Sequence, residues 1–577
     1  MLHVLRLYTL LLLTGAGLMW GQGTAGGQSS TSNGPGAAAP TAAEPRQVST
    51  PNVPAVFDAG NDPLSAAIIH YGRGEFAAAI ESYNLVLQKN PKSPDAYAGL
   101  TRVYLKQKQV DRAFDMATQG LKVTDSQVLH VALGEVYFRQ GLIPEAEREW
   151  VKVINQGYPS ARAYLGLAKI RSVMSLYAQA KELLNKAHDL DPTDRDIQRN
   201  WIRSLSRAEQ IKFWEDYLAS PTNDDAETRI GMEHHLAYLR ALQNEPPHAC
   251  RLVTQIPSTE TQLERILTDP RHLRGYALAV ALNGKKGRFM FDTGASGILV
   301  DQSLAKKAGI TAVSEIAIGG IGDKPRPGGF NGFAKSIRIG ELEFQDCRVS
   351  VIEKRSVLGD DGLIGGDVFS HFLVDIDFPQ EKLRLSPLPR RPDEKAPEVT
   401  LQTAESAVPG GEAPSDRASP DIGAKTSPST HRGPRDRYIA PEMESYARVY
   451  RFGHNLLVPT RIGDQPPRLF LLDTGSSHNM MSLRSAQEAT KVHDNPQMHV
   501  NGLNGSVAKV YRADQVVLTF GHLRQENQDI TAFDLSHMSD NIGTELTGIL
   551  GFNTLGLLDI RIDYRDGLVD FTYKPRP

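Results

Sequence analysis

The chain has 577 residues, 64 Lys plus Arg against 67 Asp plus Glu, 40% hydrophobic residues and two cysteines. Such a length predicts several domains, and a formal charge of −3 excludes a general polyanion-binding surface, so nucleic acid is not expected as a partner. Two cysteines exclude a disulfide framework, a Cys-rich zinc module or an iron–sulfur site.

Residues 1–23 have the form of an export signal. Arg6 gives a short basic start, Leu7 to Trp20 is an apolar stretch, and Gly21 and Gly23 supply a small-x-small cleavage pattern. The stretch is short for a membrane span, and an uncleaved N-terminal anchor is the alternative to cleavage. An exported protein, periplasmic or secreted, is the expectation. Residues 24–56, rich in Gly, Ala, Ser, Thr and Pro, lack the apolar surface that would offset their ordering entropy, so they read as a disordered spacer. A second such segment, residues 392–444, reads as a disordered linker.

Residues 57–247 carry a repeat. Ala79, Ala113, Ala146 and Ala180 recur every 33 or 34 residues, and twelve residues before each stands Ala67, Thr101, Gly134 or Ala168. Small residues at this period allow paired helices to touch, and the pattern resembles the tetratricopeptide repeat, an all-α solenoid. Four units fit at about 60–93, 94–126, 127–160 and 161–194, with further helix around Trp201, Phe213 and Trp214. The resemblance implies a concave face that binds a protein or peptide partner.

Residues 272–391 and 445–577 repeat each other. In the first, Arg288-Phe289-Met290-Phe291 runs into Asp292-Thr293-Gly294-Ala295-Ser296; in the second, Arg468-Leu469-Phe470-Leu471-Leu472 runs into Asp473-Thr474-Gly475-Ser476-Ser477. Downstream, Gly362-Leu363-Ile364-Gly365 matches Gly548-Ile549-Leu550-Gly551, and Val374 to Phe378 matches Ile560 to Tyr564. Alternating apolar residues and Gly-rich turns make both blocks mainly β.

An apolar strand that delivers Asp-Thr-Gly into a tight turn can hold a carboxylate rigidly while the glycine amide donates to it. Two such carboxylates within hydrogen-bond reach cannot both ionise, so they share a proton. The ionised member can then deprotonate a water while the protonated one polarises a peptide carbonyl, without a metal or cofactor. Each block resembles a retropepsin-like aspartic protease domain of the kind found in bacterial proteins. By that resemblance, Asp292 and Asp473 are the catalytic pair, while Thr293 and Thr474 lock the two active-site loops together. Gly294, Ser296, Gly475, Ser476 and Ser477 support those loops. The segments 318–322 and 500–505 fall where the family has its flaps. A serine after the motif glycine can bond the carboxylate in this family, which implies that Asp473 is the more acidic member and Asp292 the proton holder.

The expected function is therefore an aspartic endopeptidase acting on polypeptides, with the solenoid recruiting substrate or partner. The alternative is a non-catalytic envelope scaffold whose β domains bind extended peptides. The linker is long enough for the two halves to pair within one chain, as a monomeric pseudo-dimer; a homodimer is the competing arrangement. The recurrence of Asp377 and Asp563 points to a structural hydrogen-bonding role. His478 reads as an exposed turn residue, and the His234–His235 pair does not present one metal-binding face. Whether Cys250 and Cys347 pair is not legible.

Overall fold

The computed structural model describes residues 62–219, 229, 232–233, 235–237, 239–240, 250–254, 258–269, 272–322, 327–352, 361–392, 400–401 and 435–575. The export signal, the spacer 24–56, most of the linker 392–444 and His234 lie outside the described residues. Among the described residues, no helix is long and apolar enough to cross a membrane.

The solenoid begins with four antiparallel pairs: α1 (Pro63–Arg73) and α2 (Phe76–Lys89), α3 (Pro94–Lys106) and α4 (Val110–Val123), α5 (Gln127–Arg139) and α6 (Ile143–Asn155), α7 (Ala161–Val173) and α8 (Tyr177–Leu190). A further pair, α9 (Arg195–Ser204) and α10 (Arg207–Ala219), extends the stack. The small repeat positions lie where helices meet: Ala67, Ala79, Thr101, Ala113 and Ala146 are fully buried. Side-chain caps at Asp62, Ser93, Ser160 and Asp194 satisfy amides that open α1, α3, α7 and α9.

The motif aspartate ends the strand Lys285–Asp292 in the first β half and directly follows the strand Arg468–Leu472 in the second. The apolar-apolar-Gly element runs parallel beside each, pairing Ile364 with Phe291 and Leu550 with Leu472. The halves of this one chain share a sheet. Strand Phe372–Asp377 of the first pairs antiparallel with Leu558–Asp563 of the second, with Ile376 opposite Ile560. Backbone hydrogen bonds across that seam, together with a hydrophobic core continuous through both halves, make them one folded body.

The first half starts earlier than the expected residue 272. Cys250–Leu252 pairs with Leu342–Ile352, Thr259–Gln262 with Lys382–Pro387, and Glu264–Asp269 with His272–Leu282. These short, charged strands lack clear apolar alternation, so their assignment depends on partners distant in sequence. The expected linker is also shorter at its end. Asp436 accepts the Ala178 and Gln179 amides at 3.0 and 3.2 Å and so caps α8. Tyr438 N–H donates to Asp566 at 2.9 Å.

Cys250 and Cys347 form a disulfide that closes 97 residues of sequence and ties the first strand of this half to its core. Replacing both by Ser is expected to lower unfolding stability by about 2–5 kcal/mol, read as a lower denaturant midpoint.

The solenoid packs on the second β half. Phe138 and Phe452 meet at 5.9 Å between ring centroids, Thr544 Oγ1 donates to the Phe138 carbonyl at 3.0 Å, and the Glu545 amide donates to the Arg139 carbonyl at 2.7 Å. Asp540 pairs with Lys108 at 3.0 Å and with Arg139. The recurring Asp377 and Asp563 each accept the amide three residues on, from Gln380 at 3.1 Å and Asp566 at 2.9 Å. Each thereby closes the turn of its hairpin.

Candidate active site

The sheet shared by the two halves brings the two Asp-Thr-Gly loops face to face. Their threonines make four hydrogen bonds across the crossing, two of them to each other. Thr293 N–H donates to Thr474 Oγ1 at 3.0 Å and Thr474 N–H to Thr293 Oγ1 at 3.1 Å, while the two hydroxyls donate to Leu472 O and Phe291 O at 2.9 and 3.1 Å. Both threonines are 1% exposed, so every polar group at this crossing has to find a protein partner, and each hydroxyl both donates and accepts.

The crossing places Asp292 against Asp473, their side chains hydrogen-bonded. A Cβ on Gly475 would lie 2.3 Å from Asp292 Oδ2, and one on Gly294 would lie 2.7 Å from Asp473 Cγ. The motif glycines are therefore required by the approach of the opposite carboxylate. Their amides are used as well. Gly294 N–H donates to Asp292 Oδ1 at 2.8 Å, and Gly475 and Ser476 N–H donate to Asp473 Oδ1 at 2.9 and 3.0 Å.

Burial raises both carboxyls above the ordinary carboxylate range. Asp473 is raised further, by the charge of Asp292 and by the hydrogen bond between them. Asp292 is eased back by the hydrogen bond from Asp473, the Gly294 and Gly475 amides and the neighbouring His454. Held this close, the two carboxyls share one proton. The Ser476 hydroxyl does not bond the carboxylate; it donates to the His478 carbonyl at 3.0 Å.

The supporting serines differ between halves. Ser296 donates to Asp367 Oδ2 at 3.1 Å and Gly297 N–H to Asp367 Oδ1 at 2.9 Å. In the second half Asn553 takes the place of Asp367 and accepts the Asn479 amide at 2.9 Å, and the Ser477 carbonyl accepts the Asn553 amide at 3.0 Å. The first half consequently brings a third buried carboxyl near the pair, raised by its own burial. His454 interacts with both Asp367 and Asp292. Sequence reasoning missed His454 and Asp367: neither belongs to the repeated motif, and only their departure from the equivalent residues of the other half marks them. His454→Gln is expected to move the acid limb of the kcat/KM profile to higher pH, because Asp292 then loses a neighbour that favours its ionised form. An unmoved acid limb would remove His454 from the account.

The flap segments meet. Asn504 N–H donates to the Ile321 carbonyl at 2.8 Å. Leu503 packs beside Ala295 on the apolar cluster of Leu299, Ile318, Ile352 and Leu363, while Ile321 packs on the cluster that holds Met480, Val500, Val510 and Ile549. Each flap thus puts an aliphatic side chain on the opposite half. His478 is an exposed turn residue, and His235 is partly buried, edge-on to Trp214 at 5.8 Å.

Residues 278–368 and 458–554 match the family model described as aspartyl protease. The chain carries two aspartyl protease domains. Residues 70–123 match the tetratricopeptide repeat model. The protein is thereby a peptidase-type hydrolase with a repeat solenoid ahead of its protease domains. No curated protein matches the sequence. Solved structures similar to the chain include an aspartic proteinase from Irpex lacteus, 12% identical, covering 55% of this chain and 98% of its own at a TM-score of 0.32. A retropepsin-like aspartic protease from Rickettsia conorii is 21% identical and covers 22% of this chain and 90% of its own, with a TM-score of 0.18. A thermophilic tetratricopeptide-repeat protein of Thermus thermophilus is 19% identical and covers 31% of this chain and 98% of its own, with a TM-score of 0.26.

Proposed function

We propose that the protein is an aspartic endopeptidase whose composite site is the Asp292/Asp473 pair of one chain. The observation that carries this reading is the contact between the two carboxyls across the threonine crossing. In the reactive state Asp292 is ionised and takes a proton from a water held between the carboxyls. Asp473, protonated, donates a hydrogen bond to the substrate carbonyl as the water oxygen attacks it. The proton taken by Asp292 then passes to the leaving nitrogen, and the peptide C–N bond breaks. The flaps exclude bulk water while this occurs, which strengthens the electrostatics inside.

The solenoid serves as the recruiting module for substrate or partner, and the chain acts as a monomeric pseudo-dimer. Export is supported by the Cys250–Cys347 disulfide, a bond that persists in oxidising compartments. Incubating the full chain with a denatured protein across acidic to neutral pH, with and without a statine-type inhibitor, tests the reading. Inhibitor-sensitive cleavage is expected; its absence at every pH would leave only the scaffold function.

A further inference from the structure

A hairpin near the start of the second protease half touches the solenoid on one side and the catalytic loops on the other. Strand Tyr450–Phe452 pairs with Asn455–Ile462 through a turn at Gly453 and His454, with Phe452 opposite Asn455. Arg451 stands at its centre. Its Nη1 reaches the hydroxyl of Tyr177, the first residue of α8, at 3.5 Å and donates to the Tyr564 carbonyl at 2.8 Å. Its Nε donates to the Gly453 carbonyl at 3.1 Å. Next to it, Phe452 meets Phe138 of α5. A Cβ on Gly567 would lie 2.9 Å from Ser175 Oγ, so the connection between α7 and α8 also rests on the turn that follows Tyr564.

Given the endopeptidase reading, on which this rests, we propose that Arg451 is a positioning residue that makes the solenoid part of the catalytic unit. Seated by Tyr177, it holds Tyr564 beneath the Thr293 loop and the His454 turn beside Asp292. Two arms lead from Arg451 to the pair. The first is steric. Tyr564 is fully buried and directly follows the seam strand Leu558–Asp563, and a Cβ on Gly366 would collide with its hydroxyl oxygen while lying 3.4 Å from Thr293 Cγ2. The Tyr564 ring thus fills the space under the loop that carries Thr293, and a shift of its backbone is passed to the threonine crossing, because close packing leaves no void to absorb it. The second arm is the turn. Gly453 takes φ of 64°, and the bond from Arg451 to its carbonyl fixes the backbone that leads into His454, the residue that interacts with Asp292 and Asp367. A planar guanidinium with several donors can span these three partners at once, which a lysine ammonium on a flexible stem does poorly. The solenoid therefore does more than recruit, since its seat sets the placement of Asp292.

The test measures kcat and KM of the full chain on a short internally quenched peptide, which fills only the cleft under the flaps and makes no use of recruitment. Tyr177→Ala lies outside both protease halves and leaves the Phe138–Phe452 contact and the Asp436 cap on α8 in place. It is expected to lower kcat about fivefold with KM unchanged, and Arg451→Met to lower it at least about tenfold, within the range for a reacting group displaced by up to about 1 Å. The double variant is expected to match Arg451→Met within about twofold, because both changes act through one chain of contacts. Unchanged kcat in Tyr177→Ala, a rise in KM alone, or losses that multiply would overturn the proposal. Amide exchange supplies a readout that needs no turnover. Tyr177→Ala is expected to speed exchange over residues 450–462 and 292–295, while α1 to α6 exchange as in the parent. Should the parent cleave no peptide, the endopeptidase reading falls and exchange alone decides the coupling: faster exchange at 292–295 supports it, and unchanged exchange there overturns it.

Discussion

Asp473→Asn is expected to fold with its stability little changed and to lose cleavage by about 10³–10⁴-fold, the scale of general acid–base catalysis. The Asn side chain can still accept the Gly475 and Ser476 amides that the carboxylate accepts. It cannot hold the proton that the proposed mechanism places on Asp473. Asp292→Asn should be as damaging, since it removes the base. The wild-type profile follows from the same assignment. Activity is lost below the pH at which Asp292 takes up a proton and above the pH at which Asp473 gives one up, which produces a bell. Equal thermal melts with lost turnover would distinguish this chemistry from unfolding, whereas retained turnover in either variant would show that the pair does not act as one unit.

Gly475→Ala should have the second largest effect. Its Cβ would lie 2.3 Å from Asp292 Oδ2 and 2.4 Å from Asp292 Cγ, so the opposite carboxyl or the whole loop must move. The threonine crossing leaves little room to yield, because Thr293 and Thr474 hold both loops by reciprocal bonds. Overpacking of this kind costs about 1–3 kcal/mol, and a carboxyl displaced by about 1 Å costs about 10²-fold in rate. A lower melting temperature together with a fall in kcat is the expected result. A normal kcat would mean that the glycines serve only the turn.

The buried carboxyls also set a pH dependence of stability. Asp563 is raised to about 7 by burial and by the charge of Asp566. Against an unfolded value near ~3.9, the native chain keeps this proton where the unfolded chain has lost it. The contribution is therefore full below the unfolded value and declines as pH rises towards about 7. The slope from this one group is at most about 1.4 kcal/mol per pH unit. Asp563→Asn should flatten it in denaturant titrations between acidic and neutral pH.

The repeated Asp-Thr-Gly motif and the spaced alanines made both fold classes legible, because each encodes a local requirement: a tight turn beside a carboxylate, or a helix contact without bulk. The residues that were not legible act through distant partners. His454 gains its relation to Asp292 only when the two halves close, and Asp367 stands where the second half has Asn553, in a short turn whose other residues also differ. The Ser476 hydroxyl, expected to bond the Asp473 carboxylate, donates to the His478 carbonyl instead. The seat of the solenoid on the second half depends on Phe138, Arg139 and Asp540, which no periodicity connects.

The most direct test of a composite site within one chain is to mix Asp292→Asn and Asp473→Asn proteins and measure cleavage. Pairing of Asp292 with Asp473 of the same chain predicts that each variant alone and the equimolar mixture are all inactive. Activity restored on mixing would place the two aspartates on different chains, and activity kept by either variant alone would mean that each half pairs with its own copy.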